Sequence, residues 1–231
     1  NFTVALLSEG TYYVNATYAG DDKYVGSISK TIVLNVTNIV SYINVTATNV
    51  TYGNASEITV TVPKVQTGFV RITVNGTDIN VTVEITDGVA KFNATGLNAG
   101  RYNVTVTYLG NGAYLTSQNS SEFNVGKANM SAVVIGENVT VEENISFIID
   151  NVTRDFEGKV NITVNGTRYE GDIRAVIAEL GKLRAGEYTA NVTFFADDNY
   201  NDRTYTVPFT VSRIDPEMDV RINDTTYPNR A

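Results

Sequence analysis

The sequence predicts an all-β chain in which antiparallel β-sandwiches follow one another in tandem. Three observations predict it: a repeat of domain length, strict period-two alternation of apolar and polar residues, and Asn-Gly or Asp-Gly pairs where hairpins should turn. The repeat is clearest in three segments that align without a gap. Residues 7–24 read LSEGTYYVNATYAGDDKY, 97–114 read LNAGRYNVTVTYLGNGAY, and 183–200 read LRAGEYTANVTFFADDNY. Gly10, Gly100 and Gly186 fall in register, 90 and 86 residues apart. A second landmark agrees, because GFVRITVNGT (68–77) matches GKVNITVNGT (158–167). A period near 90 residues is too long for a solenoid and fits an autonomous domain copied in tandem.

The repeat sets the expected boundaries. Residues 1–37 hold the last three strands of one domain, 39–126 a complete domain, 127–213 a second, and 214–231 the first strand of a further one. That last segment, IDPEMDVRINDTTYPNRA, resembles TATNVTYGNAS near the start of the 39–126 repeat. The chain opens in mid-pattern and reads as a piece of something longer. The joints, Val36 to Tyr42, Val125 to Met130 and Val211 to Met218, are short and lack Gly/Ser character, so neighbouring domains should be closely held in a stiff rod.

Within a repeat the strands follow from parity. Ile43, Val45 and Ala47 alternate with Asn44, Thr46 and Thr48, then Val70, Ile72 and Val74 with Arg71 and Thr73. Ile79, Val81, Val83 and Ile85 alternate with Asn80, Thr82 and Glu84, and Tyr102, Val104, Val106 and Tyr108 with Asn103, Thr105 and Thr107. Such alternation in β-branched and aromatic residues means strands with one wet face. Asn75-Gly76, Asn165-Gly166 and Asp87-Gly88 supply the positive φ angles of tight hairpins. The best helical stretch, IRAVIAEL (173–180), falls where the neighbouring repeat has a strand. About seven short strands per repeat make a sandwich.

A Tyr two residues after a Gly, entering a late strand, can bury its ring and return its hydroxyl to the backbone upstream. This is the tyrosine corner, and Tyr12, Tyr102 and Tyr188 are its candidates. Tyr18, Tyr108 and Phe194, and likewise Tyr24, Tyr114 and Tyr200, occupy matched positions with inward parity and are assigned to the core.

Composition excludes several function classes. The chain has no Cys, His or Trp, which removes disulfides, thiolate and imidazole metal sites, and Cys- or His-based catalysis. Net charge is −8, so a nucleic-acid or anionic-membrane partner is not expected. No run reaches the length of a membrane span, and no signal peptide is present in the sequence as it stands.

The string L-x-x-G-x-Y-x-V-x-x-T-Y-x-G-D-x-x-Y resembles the hallmark of bacterial Ig-like domains strung along prokaryotic surface proteins. The first repeat carries it as Leu7, Gly10, Tyr12, Val14, Thr17, Tyr18, Gly20, Asp21 and Tyr24. The Asn- and Thr-rich VNVT and VNGT strings are similar to repeats in adhesin-like proteins of methanogenic archaea. The resemblance implies an Ig-like fold, an extracellular cell-surface location and no shared catalytic residues. It also introduces Lys–Asn isopeptide crosslinks, known in similar pilus and adhesin sandwiches, with Lys30 and Lys127 as conceivable donors.

The most anomalous count is N-x-S/T: 19 triplets among 26 Asn, where composition alone gives about 5. They read either as N-glycosylation acceptors or as a by-product of parity, since i and i+2 share a strand face. Asn44, Asn80, Asn103, Asn161 and Asn191 have outward parity and are the candidate glycosylation sites, whereas Asn75 and Asn165 are explained by their turns. Asp21-Asp22 and Asp197-Asp198-Asn199 offer hard oxygens for Ca²⁺, but the middle repeat keeps none of these acids, and turn chemistry accounts for them equally.

The leading expectation is therefore a non-catalytic extracellular stalk segment of an adhesin-like protein, without cofactor or metal. Its partners would be neighbouring domains or other copies of the protein, and host-cell or cell-wall glycans. Two rivals stay open: a fibre or envelope-layer subunit completed by strand exchange, and a carbohydrate-binding accessory region that would display an exposed aromatic strip.

Overall fold

The computed structural model describes residues 3–4, 7–172, 176–177 and 180–222. The chain divides into two compact units, Asn1–Ala128 and Asn129–Ala231.

The first unit opens with β1 (Gly10–Val14), β2 (Thr17–Gly20), β3 (Val25–Ile28) and β4 (Ile32–Val36). These are the arms of one interrupted hairpin, β1 pairing with β4 and β2 with β3, both antiparallel. At the interruption Ser29 N–H donates to the Ala16 carbonyl (2.8 Å), and Ala16 N–H donates to Ser29 Oγ (2.9 Å). Where three strands are expected over 1–37, the described residues form this single hairpin. It gains no further strand among the described residues, so its apolar side chains stay wet. Tyr18 and Tyr24, assigned to the core by parity, are exposed.

The sandwich follows: β5 (Asn44–Ala47), β6 (Val50–Thr51), β7 (Ser56–Thr61), β8 (Thr67–Val74), β9 (Asn80–Thr86), β10 (Val89–Ala94), β11 (Gly100–Tyr108) and β12 (Ser117–Gly126). Strand order is β5-β7-β10-β9-β8-β11-β12-β6. β5, β7 and β10 make one layer, and β9, β8, β11, β12 and β6 make the other. The layers are continuous only through the β9–β10 hairpin, where Val89 pairs with Thr86. Inward residues of both layers, among them Ile58, Val60, Ile72, Val104 and Tyr108, form one core cluster, as two facing alternating sheets must. Asp87-Gly88 has positive φ at both positions (51° and 80°), as a tight hairpin requires. Asn75-Gly76 differs from expectation. Only Gly76 has positive φ there (75°), and the turn is wider, with Val74 N–H bonding the Ile79 carbonyl and Thr77 Oγ1 donating to the Val74 carbonyl.

β13 (Ala128–Asn129) falls at the boundary, and the second unit continues with β14 (Val133–Gly136), β15 (Val139–Thr140), β16 (Phe147–Asp150), β17 (Val160–Val164), β18 (Thr167–Gly171), β19 (Gly186–Phe194), β20 (Tyr200–Asn201) and β21 (Arg203–Ser212). Its main sheet runs β15-β21-β19-β17-β18, with β14 paired to β16 and β13 to β20. Asn165-Gly166 is a tight turn with positive φ at both residues (47° and 79°). Ile145, Phe147, Ile162, Val192, Phe194 and Phe209 are among its buried residues. Val176 and Ile177 are helical, with Val176 N–H bonding the Asp172 carbonyl; the other residues of 173–179 lie outside the described ones. Residues 214–222 carry no strand, and 223–231 lie outside the described residues.

Candidate functional site

Three devices recur from repeat to repeat. The first is the Gly-x-Tyr element. Tyr12 Oη donates to the Ser8 carbonyl, Tyr102 Oη to the Asn98 carbonyl and Tyr188 Oη to the Arg184 carbonyl, each at 2.9 Å and each four residues upstream. A Cβ on Gly10, Gly100 or Gly186 would stand 3.7, 3.8 or 3.4 Å from the tyrosine ring, so the ring lies across the glycine backbone. The other ring face meets the last strand: Tyr102 stacks on Phe123 at 5.5 Å and Tyr188 on Phe209 at 5.6 Å, and Leu34 stands opposite Tyr12.

The second device is the loop before the last strand. Asp21 Oδ1 accepts from the N–H groups of Lys23 and Tyr24, both at 2.8 Å. Asn111 Oδ1 accepts from Ala113 and Tyr114 (3.0 and 2.9 Å), and Asp197 Oδ1 from Asn199 and Tyr200 (2.8 and 2.7 Å). Each is an Asx turn, which needs a side-chain oxygen and no charge, so a neutral Asn serves in the middle repeat. The remaining oxygen of Asp197 accepts from Glu157 N–H at 2.9 Å. Tyr18 first, then the N–H groups of Lys23 and Tyr24, hold the Asp21 carboxyl below its ordinary range.

The third device is a lateral pairing of a short early strand with the last strand. β6 runs parallel to β12, and β15 runs parallel to β21. With corner, loop and strand order in place, the first sandwich can be set beside known families. Residues 43–126 match the bacterial Ig-like domain (group 3). Among solved structures the chain is similar to the fibronectin(III)-like modules of Clostridium thermocellum CbhA, at 15% identity over 79% of this chain and 100% of that one, TM-score 0.30. It is also similar to chicken CNTN1 FN1–FN3 domains (14% identity, 90% and 80% covered, TM-score 0.28) and to the BSP domain of a biofilm-associated protein (18%, 76% and 30%, 0.27). No curated protein matches the chain. The fold assignment rests on the strand order and the family match.

The outer faces of the Ig-like sandwiches carry the N-x-S/T triplets. Asn44, Asn80, Asn103 and Asn191 are exposed on β5, β9, β11 and β19. Asn191 Oδ1 accepts from Thr206 Oγ1 across the strand pair at 3.2 Å. Asn161 corrects the parity argument. It is only 5% exposed, and its Oδ1 accepts from Thr163 Oγ1 at 2.9 Å. β17 lies inside its sheet, with Glu170 and Thr193 flanking Asn161 on the two neighbouring strands, and a glycan cannot be attached to an amide so enclosed. Asn49 and Asn138 are also occupied. Their Oδ1 atoms accept from the N–H groups of Asn124 (2.7 Å) and Thr210 (2.8 Å). Sequence reasoning passed over both, although each sits in an Asn-Val-Thr string at the matched position of its repeat.

Lys30 and Lys127 are exposed, whereas an isopeptide needs Lys, Asn and acid buried together. No group of three carboxylates able to hold a metal ion occurs among the described residues. Several of the acids take structural roles. Lys91 lies 3.1 Å from Glu57, and by hydrogen bond and charge it lowers the Glu57 pKa. The Thr140 N–H and hydroxyl do the same to Glu143, donating to Oε2 at 2.7 and 2.9 Å. Tyr108 and Phe194 are fully buried, and Tyr114 Oη and Tyr200 Oη reach the Lys64 carbonyl (3.1 Å) and Asp155 Oδ1 (2.6 Å). These rings belong to the packing of each domain.

Proposed function

We propose that the chain is a non-catalytic stalk segment of an extracellular, adhesin-like cell-surface protein, of the kind found in methanogenic archaea. The recurrence of corner, Asx loop and parallel strand lacing from repeat to repeat carries this reading. What the chain repeats is scaffold, and function on such a fold lives in sites grafted onto it. The boundaries 1–37, 39–126, 127–213 and 214–231 are the successive units of the stalk. Its acidic, Thr- and Asn-rich exterior favours solubility and opposes lateral association. Glycans on the exposed triplets, neighbouring domains and host or cell-wall glycans are its proposed partners.

Negative-stain microscopy of the native protein across a concentration series tests the stalk. Discrete beaded particles, unchanged on dilution, are expected. Filaments of regular axial repeat that shorten on dilution would overturn the stalk in favour of a fibre completed by strand exchange. One observation favours that second reading: Val25 (89% exposed) on the first hairpin and Met218 (83%) and Ile222 (85%) near the other end are apolar and uncovered.

A further inference from the structure

In the 127–213 repeat a groove of about 460 Å³ opens where β17 begins, β18 passes and the chain leaves β19. Phe195, half-buried, gives it an aromatic surface, and Phe195 N–H donates to the Lys159 carbonyl at 2.8 Å. The Arg168 guanidinium lies over this ring, 6.0 Å from its centre, and Arg168 Nη2 donates to Glu170 Oε2 at 2.8 Å. Glu157 is held at the groove by its own N–H, which donates to Asp197 Oδ2 at 2.9 Å. The segment comes this close because residue 158 is Gly. A Cβ there would collide with the Phe195 carbonyl and the Phe156 ring.

The matched surface of the 39–126 repeat has the same strand register without these charges. Leu109 N–H meets the Phe69 carbonyl there, as Phe195 N–H meets that of Lys159. Arg168 stands beside Thr163 and Glu170 beside Asn161, the places that Asn80 and Thr82 take beside Thr73 and Arg71. Glu157 and Asp197 correspond to Thr67 and Asn111. All five charged residues of the groove thus have uncharged counterparts. The corner, the Asx loop and the strand order recur and are scaffold. The charged groove does not recur, which is the mark of a site grafted locally onto a scaffold.

We propose that this groove binds a neutral saccharide unit. A sugar ring has an apolar C–H face and hydroxyls that both donate and accept, so it fits an aromatic surface flanked by groups of both kinds. Phe195 supplies the surface, Lys159 and Arg168 the donors, and Glu157 and Glu170 the acceptors. Charged ligands fit worse. Three carboxylates against two cations oppose an anion, and the cation place over the Phe195 ring is already taken by Arg168. The ring and Glu170 together hold the guanidinium plane in advance, which lowers the ordering cost of binding. That the saccharide belongs to a host or cell-wall glycan rests on the stalk reading; the chemistry of the groove does not.

Titration of the whole chain, made without attached glycans and followed by amide chemical shifts, tests the groove. The probes are the methyl glycosides of glucose, galactose, mannose and N-acetylglucosamine, with glucuronate and glucosamine as charged comparisons. At least one neutral glycoside should shift the Lys159, Phe195 and Ala196 amides with millimolar affinity. Phe195→Ala and Arg168→Ala should each weaken that binding about tenfold. Arg168 is exposed, so its variant decides the matter if Phe195→Ala loosens the repeat. Phe69→Ala, on the matched surface of the other repeat, should leave the affinity unchanged. No shift of these amides with any of the neutral glycosides would overturn the site. So would parent-like affinity in Arg168→Ala, or tighter binding of glucuronate or glucosamine than of every neutral probe. Beaded particles in the microscope without these shifts would leave the stalk and remove the site, whereas filaments with them would keep the site and remove the stalk.

Discussion

Tyr108 carries a hydroxyl that the fold does not use, so its removal should stabilise the protein. The side chain is fully buried, and its Oη has no hydrogen-bond partner. Burial, then the neighbouring Tyr114, pushes its pKa above the ordinary phenol value. An unmet buried hydroxyl costs about 1–3 kcal/mol. Tyr108→Phe keeps the ring and removes that cost. The third repeat already has Phe194 at the matched position, buried against Phe156 and Tyr205 at 5.9 and 5.8 Å. A domain of this size shifts its Tm by about 4–8 °C per kcal/mol, so Tyr108→Phe should raise the melting of the 39–126 repeat by at least about 4 °C. Phe194→Tyr should lower that of the 127–213 repeat by a similar amount. Calorimetry of the whole chain reads the shifts, and amide exchange in the β11–β12 and β19–β21 hairpins assigns each to its repeat. An unchanged or lowered Tm for Tyr108→Phe would refute the reasoning and point to a partner for the hydroxyl.

The corner tyrosines should behave in the opposite sense. Tyr102→Phe and Tyr188→Phe each lose one hydrogen bond while keeping the ring stack, and each should destabilise its repeat by about 1 kcal/mol in a denaturant titration. At the Asx turn, Asp197→Asn keeps the oxygen that accepts from Asn199 and Tyr200 but loses the one that accepts from Glu157 N–H, and should cost about 1 kcal/mol, whereas Asp197→Ala loses both acceptors and should cost more. Added Ca²⁺ should not move the parent's Tm. Glycopeptide mapping of the native protein should find sugar on Asn44, Asn80 or Asn103 and none on Asn161, and occupancy at Asn161 would contradict its burial.

Much of the fold is legible because each strand of the 39–126 repeat has one dry face, so parity alone places Val70, Ile72, Val104 and Val106 inside. The Gly-x-Tyr spacing is equally readable, since a ring lying over a glycine two residues back leaves few alternatives. Parity fails where a neighbour decides the outcome. Asn161 faces outward by alternation, yet adjoining strands and Thr163 enclose it. Tyr18 and Tyr24 face inward, but a residue is buried only when something stands opposite it. Asn75 looks like Asn165 in sequence, yet Thr77 Oγ1 bonds the Val74 carbonyl and widens the turn. The Asn49 and Asn138 rungs were hidden because they join residues 75 and 72 positions apart, a distance that no local pattern reports.

That separation also governs how the protein can be made. A ribosome delivers Asn49 long before Asn124 exists, so the short β6 strand of a nascent repeat must wait, unpaired, until nearly the whole domain has been synthesised. Pairings this distant in sequence form slowly, and the waiting strand is at risk of joining the wrong neighbour. The next copy offers such a neighbour, with its own Asn-Val-Thr string and its own closing strand. Divergence between successive repeats then acts as a safeguard during synthesis, because it makes the late strand of the same domain the better match.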